Sequence, residues 1–312
     1  MICVPERGAG LRLDRLLSAW FRDWSRTELV RGIKQGLVTD DSGRVLRPSS
    51  PVRAGQNIHI SIPGLAPSEP PPPFPNILFE DDWVVVIDKP AGMVAHPSGS
   101  QFVWSLIALA RMRWPDKEMD LCHRLDRDTS GVLVMTKDKE VNNEIKTSFK
   151  AGRVQKTYEA ICRGEIPWDH QRCEAPLGPR EETIRVQQGV RSDGLSATTD
   201  VDVLARQEGL TRVRCRIGTG RTHQIRVHLE HLGYSLLGDR LYGVPPEVFL
   251  HTLKNGMDEW TRNQTGAPRH ALHCSEMSFP HPKGERVTVS ASVPEDMERW
   301  WSKPSCLPHD ER

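Results

Sequence analysis

Between Pro67 and Pro75 the chain reads Pro-Ser-Glu-Pro-Pro-Pro-Pro-Phe-Pro. Proline fixes φ and carries no backbone N–H, so neither a helix interior nor a central strand can run through this stretch. Consecutive prolines form an extended spacer instead. The 312 residues are therefore expected to fold as two cores: a small unit over 1–62, a linker over 63–77, a larger unit over 78–300, and a tail over 301–312.

The first unit reads as a small α/β module. Leu13, Leu16, Leu17, Trp20 and Phe21 recur at helical spacing. Ser25-Arg26-Thr27-Glu28 is a capping box that opens a second helix through Leu29, Val30 and Ile33, with Gly36 as its stop. Leu37–Thr39 reads as a strand, Asp40–Gly43 as a turn, and Asn57–Ile62 as a closing strand. Ten Lys and Arg stand here against six Asp and Glu, with Arg26, Arg31 and Lys34 on or beside the second helix. That face is either an ordinary solvated surface or a phosphate-contacting one.

The second unit is strand-rich. Trp83–Asp88, Val132–Thr136, Lys156–Arg163 and Thr211–Ile217 read as strands, and a helix is expected from about Thr222 to Leu232. Strands outnumber helices without a βαβ repeat, which predicts an α+β fold. Five arginines and no acids fall between Leu210 and Leu229: Arg212, Arg214, Arg216, Arg221 and Arg226. Arg172, Arg180, Arg185 and Arg191 add a second basic stretch. Either set could be a solvated strand face or a surface for phosphates.

Composition excludes several classes. Net charge is +1, so no overall basic bias marks the chain as a nucleic-acid binder, and local segregation of charge must carry that case. The apolar run near Trp83–Ile87 is too short to span a membrane. Met1–Arg7 lacks the apolar core of a signal peptide, so a cytoplasmic protein is expected. The seven cysteines are scattered and form no CxxC pair, which supports neither a zinc ribbon nor a disulfide framework. His223, His228 and His231 lack thiol partners, and no metal is expected there or at His270 and His273.

The richest stretch for chemistry is His123-Arg124-Leu125-Asp126-Arg127-Asp128-Thr129-Ser130-Gly131. It places Asp126 between Arg124 and Arg127, just before the β-prone run Val132–Met135. Flanking cations keep a carboxylate ionised, and an ionised carboxylate can act as a nucleophile. The residues alone are better accounted for by a charged surface turn with an Asx motif and Gly131 at positive φ.

His123–Gly131 resembles the signature loop of the RluA-type pseudouridine synthases, which isomerise uridine to pseudouridine in ribosomal or transfer RNA. Further segments resemble the same family in order: Asp88–Pro97, Lys156–Ala160, Gly220–Leu229, Gly238–Gly243 and His270–His273. The resemblance covers roughly residues 78–295 and implies a mixed, mainly antiparallel sheet with flanking helices. Residues 1–62 resemble the αL RNA-binding domain shared with small-subunit ribosomal protein four.

The reaction breaks a C–N glycosidic bond, turns the uracil and forms a C–C bond to the same ribose carbon. As an isomerisation it needs no redox cofactor, nucleotide or metal, so no cofactor is expected. It does need the uridine drawn out of the RNA stack. The resemblance makes Asp126 the essential carboxylate, acting on the ribose directly or through a ribose-derived intermediate. It makes Arg226 the partner of that carboxylate. Tyr158 becomes the residue that stacks on the base and helps remove the C5 proton. Arg124 fills the gap left by the flipped nucleotide, and Arg221, His223 and Gln224 support RNA contacts. The expected partner is RNA, ribosomal before transfer RNA, whose phosphates the two arginine stretches are then expected to contact, with no membrane and with a monomeric enzyme. The rival reading is an inactive RNA-binding ribosome-assembly factor that kept the fold.

Overall fold

A computed structural model of the chain describes residues 2–4, 9–21, 24–62, 72–96, 105–180 and 184–302. Residues 63–71 of the expected linker, 303–312 of the expected tail, and Pro97 lie outside the described residues. The chain divides into two compact units, residues 1–74 with 93–116 and residues 75–92 with 117–312. The division is thus not a single cut at the proline run, because 93–116 group with the first unit.

In the first unit, strands β1 (Ile2–Cys3), β2 (Val38–Asp40) and β3 (Asn57–Ile60) form a sheet in the order β1-β3-β2. Helices α1 (Leu13–Trp20) and α2 (Arg26–Lys34) accompany it. Leu13, Leu16, Leu17, Leu29, Ile33, Val38 and Ile58 make its core. The capping box forms as the sequence predicts: Glu28 N–H donates to Ser25 Oγ, and Ser25 N–H donates back to Glu28. Gly36 follows α2 with φ +78°, a conformation that favours glycine. Helix α3 (Leu106–Arg113) also belongs to this unit.

The second unit is built on a ten-stranded sheet. Its strands are β4 (Ile77–Glu80), β5 (Val84–Lys89), β6 (Asp120–Leu121), β7 (Ser130–Thr136), β8 (Gln155–Arg163), β9 (His170–Cys173), β12 (Thr199–Gln207), β13 (Leu210–Ile217), β14 (Leu272–Pro280) and β15 (Arg286–Ser290). Strands β10 (Leu177–Pro179) and β11 (Gln188–Val190) form a separate two-stranded ribbon. The main path runs β4-β5-β7-β14-β8-β13-β12-β9. Its pairings are antiparallel except β7 with β14. Helices α4 (Lys139–Lys150), α5 (Gln224–His231), α6 (Pro246–Asn255), α7 (Glu259–Thr265) and α8 (Glu295–Ser302) complete the unit.

This is the mixed, mainly antiparallel sheet with flanking helices that the sequence predicts. The core strands owe their depth to composition. Val84–Ile87 and Val132–Met135 are fully buried apolar runs in the adjacent strands β5 and β7. Strand β13 alternates as predicted, with Val213, Cys215 and Ile217 buried and Arg214 and Arg216 exposed. The helix expected from Thr222 starts two residues later. His223 takes φ +57°, and its left-handed backbone ends the preceding turn before α5 begins.

Candidate active site

The His123–Gly131 loop runs into β7, and β7 fixes where the loop ends. Ser130 and Gly131 pair with His273 and Cys274 of β14, the parallel register of the sheet. Gly131 has φ +110°, and a Cβ there would stand 2.2 Å from the Cys274 carbonyl oxygen. Only glycine allows so close an approach. At the loop's start, the half-buried His123 accepts the Val134 N–H at Nε2 (3.1 Å). Burial, then the charge of Lys156, lowers its pKa to about 3, so His123 is a neutral acceptor.

Asp126 lies between these anchors, with 30 % of its side chain still exposed. Arg226, on the first turns of α5, donates from Nη1 to Asp126 Oδ2 at 2.8 Å. Its Nε and Nη2 donate to the two oxygens of Asp239 at 2.7 and 2.9 Å. Asp239 is fully buried, and its Oδ1 also accepts the N–H groups of Leu241 and Tyr242. The guanidinium carbon lies 4.9 Å from the centroid of the Tyr242 ring. One arginine thus bridges a buried carboxylate and a partly open one. All but one edge of its fork is committed to orientation.

The electrostatics follow from that bridge. Burial opposes ionisation of Asp126, but Arg226, His223 and His270 together outweigh it and hold the carboxyl below its ordinary range. Asp239 behaves likewise: burial raises its pKa, Arg226 lowers it more, and it settles at about 2. Both are carboxylates at neutral pH. His223 places Nε2 3.8 Å from Asp126 Oδ2, while its Nδ1 is hydrogen-bonded to the Tyr242 hydroxyl at 2.8 Å. That hydroxyl also accepts the Gln188 N–H. Burial, and then Arg226, keep His223 below its ordinary pKa.

Tyr158 sits in β8, opposite Cys215 on one side and Cys274 on the other. It is buried, and its phenol is pushed well above the ordinary value by burial, then by Cys274 and by the charge of Asp126. Arg124 is exposed and makes no ion pair among the described residues. The salt bridge to Asp128 that the sequence allows is not made, because Arg127 and Arg240 occupy Asp128 at 3.0 and 2.7 Å.

Other expectations meet different outcomes. Gln224 is buried. Its oxygen accepts from Thr219 Oγ1 and the Arg221 N–H, and its amide nitrogen donates to Thr198 and Thr199. Its polar atoms shape the turn into α5, so they are not available to RNA. Arg221 stays exposed, with Nε on the Ser196 carbonyl. With Thr222 it lines a groove of about 630 Å³ whose other wall is the β10–β11 ribbon. His228 spends Nδ1 on Thr199 and Nε2 on the Ala175 carbonyl, which leaves no lone pair for a metal. The thiol of Cys122 is buried, raised in pKa by desolvation, and contacted by the Asn142 amide, so it is a structural thiol.

The basic stripe is largely a set of internal ion pairs, which corrects its reading as a phosphate surface. Arg212 holds Glu159 and Glu298, and Arg216 holds Asp202. Arg172 faces Glu174 and Asp200, Arg180 holds Glu230, and Arg191 holds Asp193. The reason is a shared sheet face: Asp202 on β12 and Glu159 on β8 both stand opposite Arg214, which puts them diagonal to Arg216 and Arg212, while Asp200 stands opposite Arg172. In the first unit, Arg26 is likewise spent on the buried Asp14 at 2.7 Å, while Arg31 and Lys34 are exposed.

Sequence reasoning misses four groups around Asp126. Asp239 and Tyr242 lie in the Gly238–Gly243 segment, whose resemblance to the family assigns neither of them a role. The fully buried Lys89 donates to the carbonyls of Pro90 and Arg127. Burial lowers its pKa to about 7, against the raising effect of Asp128 and Asp126. His270 completes the set, hydrogen-bonded to Thr129.

Comparison with known proteins gives the family. Residues 83–231 match a family model described as RNA pseudouridylate synthase. A relative named ribosomal large subunit pseudouridine synthase D, from Xanthomonas campestris pv. campestris, is 35 % identical over 309 residues, which cover 96 % of this chain and 90 % of the relative. The chain belongs to the RNA pseudouridine synthase family. It is an isomerase that acts on RNA. A Pseudomonas aeruginosa protein of the same name is 35 % identical over 94 % of this chain and 92 % of its own length. The solved structure of human RNA pseudouridylate synthase domain containing 1 aligns with TM-score 0.56 at 26 % identity, covering 70 % of this chain and 83 % of the human one. Among the described residues, no helix is long and apolar enough to cross a membrane.

Proposed function

We propose that this synthase modifies large-subunit ribosomal RNA in the cytoplasm as a monomer, with Asp126 as its essential carboxylate. The Arg226 bridge carries the reading. It holds Asp126 ionised and oriented while leaving one edge open to a ribose. An inactive RNA-binding factor would have no need of a carboxylate kept charged at the cost of burying an arginine and a second carboxylate. The relatives named for the large ribosomal subunit support the choice of target over transfer RNA.

Within this reading, Asp126 acts at the anomeric carbon and Arg226 fixes its approach. His223, neutral and within 3.8 Å, lines the same opening. Burial keeps Tyr158 a phenol at neutral pH, which supports stacking on the uracil over direct service as a base. Arg124, exposed and free of ion pairs among the described residues, is suited to enter an RNA stack as a uridine leaves it. The groove beside Arg221 offers a path for flanking nucleotides.

In the first unit, we assign phosphate contacts to Arg31 and Lys34 of α2, without Arg26, whose charge Asp14 neutralises. Reversing both to Glu should weaken RNA binding and flatten its salt dependence, by about one unit of slope for each phosphate no longer neutralised. Equal slopes for the variant and the wild type would remove that role.

Asp126→Asn tests the central claim. It should abolish tritium release from 5-tritiated uridine in a large-subunit ribosomal RNA transcript while leaving the melting temperature near wild type. Turnover near wild type by this variant would overturn the assignment.

A further inference from the structure

The segment Arg269–Cys274 touches the catalytic loop residue by residue. Arg269 Nη1 donates to the Asp128 carbonyl at 3.1 Å. His270 Nε2 is hydrogen-bonded to Thr129 Oγ1 at 2.8 Å, and His273 Nδ1 to Ser130 Oγ at 3.0 Å. All three side chains are buried. His273 Nε2 faces the Ala291 carbonyl at 3.2 Å. A carbonyl only accepts, so Nε2 carries the proton and the Ser130 hydroxyl donates to Nδ1. Thr129 closes the chain of contacts, because its own N–H donates to the Asp126 carbonyl at 3.1 Å.

The same segment also holds the other carboxylate. Ala271 N–H donates to the Leu237 carbonyl at 2.8 Å. Gly238 lies so close that a Cβ there would stand 1.8 Å from the Arg269 carbonyl oxygen. Asp239 follows directly. On its outer side Arg269 is tied to both oxygens of Asp296 in α8, at 2.7 and 2.8 Å.

We propose that Arg269–His273 is the frame that sets the spacing of Asp126 and Asp239 around Arg226, with His270 a positioning residue for Asp126 acting through Thr129. The frame grips the Asp126 turn by side chains and the Asp239 turn by backbone, so Arg226 meets two carboxylates held from one strand end. The groups whose charges reach His270 are Asp126 and Asp128 of the loop, Asp239, and Arg226 of α5. Burial with that arginine favours the neutral ring, so the contact to Thr129 is a directional hydrogen bond and not an ion pair.

The proposal rests on the reading of Asp126 as the catalytic carboxylate. Its test is a double-mutant cycle on the full chain. His270→Ala and Thr129→Val should each lower kcat on the ribosomal RNA transcript roughly 10- to 100-fold, as expected for an ångström-scale displacement of a reacting group, with KM within about twofold. The double variant should be no worse than the poorer single one. Thr129→Ser and His270→Gln, which keep a hydroxyl and a nitrogen in place, should recover most of the rate. A second readout does not depend on turnover: carboxyl NMR should show the Asp126 pKa rising in Thr129→Val as its hold on Arg226 loosens. If Asp126→Asn remains active, the catalytic reading fails and the NMR titration still decides the frame. If Asp126→Asn is dead while His270→Ala and Thr129→Val keep wild-type kcat and Asp126 pKa, the frame proposal alone is overturned. Additive losses in the double variant, or losses that Thr129→Ser does not recover, also overturn it.

Discussion

Asp239→Asn perturbs the site through a residue that touches no reacting atom. Natively, Arg226 donates twice to Asp239 and once to Asp126, and Asp239 Oδ1 accepts two further N–H groups. An asparagine of the same shape keeps one oxygen. Its amide nitrogen must then face a guanidinium N–H, and in one of its two orientations the Leu241 and Tyr242 N–H groups as well, donor against donor. Breaking a buried ion pair costs about 3–5 kcal/mol, and the surviving acceptor returns part of it, leaving roughly 2–4 kcal/mol. At about 2.1 cal/mol/K of unfolding entropy per residue, that lowers Tm by roughly 3–6 °C for 312 residues. Arg226 also gains freedom to swing wholly onto Asp126. The Asp126 pKa should fall further while its orientation degrades, and a misplacement of about 1 Å costs roughly 100-fold in rate. Denaturant titration and single-turnover tritium release read the two effects separately. A variant with wild-type stability would refute the buried-pair arithmetic. A destabilised variant with wild-type kcat would refute the claim that the bridge orients Asp126.

Tyr158→Phe should retain at least about a tenth of the wild-type rate if stacking is the residue's main job, since the ring remains; loss of product beyond about 1000-fold, read by single-turnover assay, would restore the hydroxyl to a proton-transfer role. Stability should fall on acidification between about pH 6.5 and 4, because burial and Arg226 bring His270 from its ordinary 6.5 down to about 4. A depressed folded pKa means the unfolded chain binds the extra proton, so the stabilisation is complete above about 6.5 and lost as pH falls toward 4. It amounts to about 3 kcal/mol for this group, and His270→Gln should flatten that part of a denaturation-versus-pH curve. An unchanged curve in the variant would show that His270 does not titrate in this range.

Sequence alone determined strands β2, β3, β5, β7, β8 and β13 and the chemistry-bearing loop, because their signals are local, whereas β12 and β14 were visible only in the fold. Alternation in Thr211–Ile217 and the apolar runs Val84–Ile87 and Val132–Met135 report burial directly, and Ser25 and Glu28 are three residues apart on one turn. The resemblance of His123–Gly131 and Gly220–Leu229 singled out Asp126 and Arg226, one hundred residues apart, which the fold brings to 2.8 Å. Tertiary structure alone decided which charges are spent. The arginines of β13 looked like a phosphate surface because their partners, Glu159, Glu298 and Asp202, lie on other elements. Arg26 looked free until α1 supplied Asp14. Asp239, Lys89 and His270 carry no local signal, since a buried ionisable group differs from an exposed one only in its surroundings. Those surroundings come from distant segments packed at close range, where the energy of a charge is set by what neighbours it and not by its position along the chain.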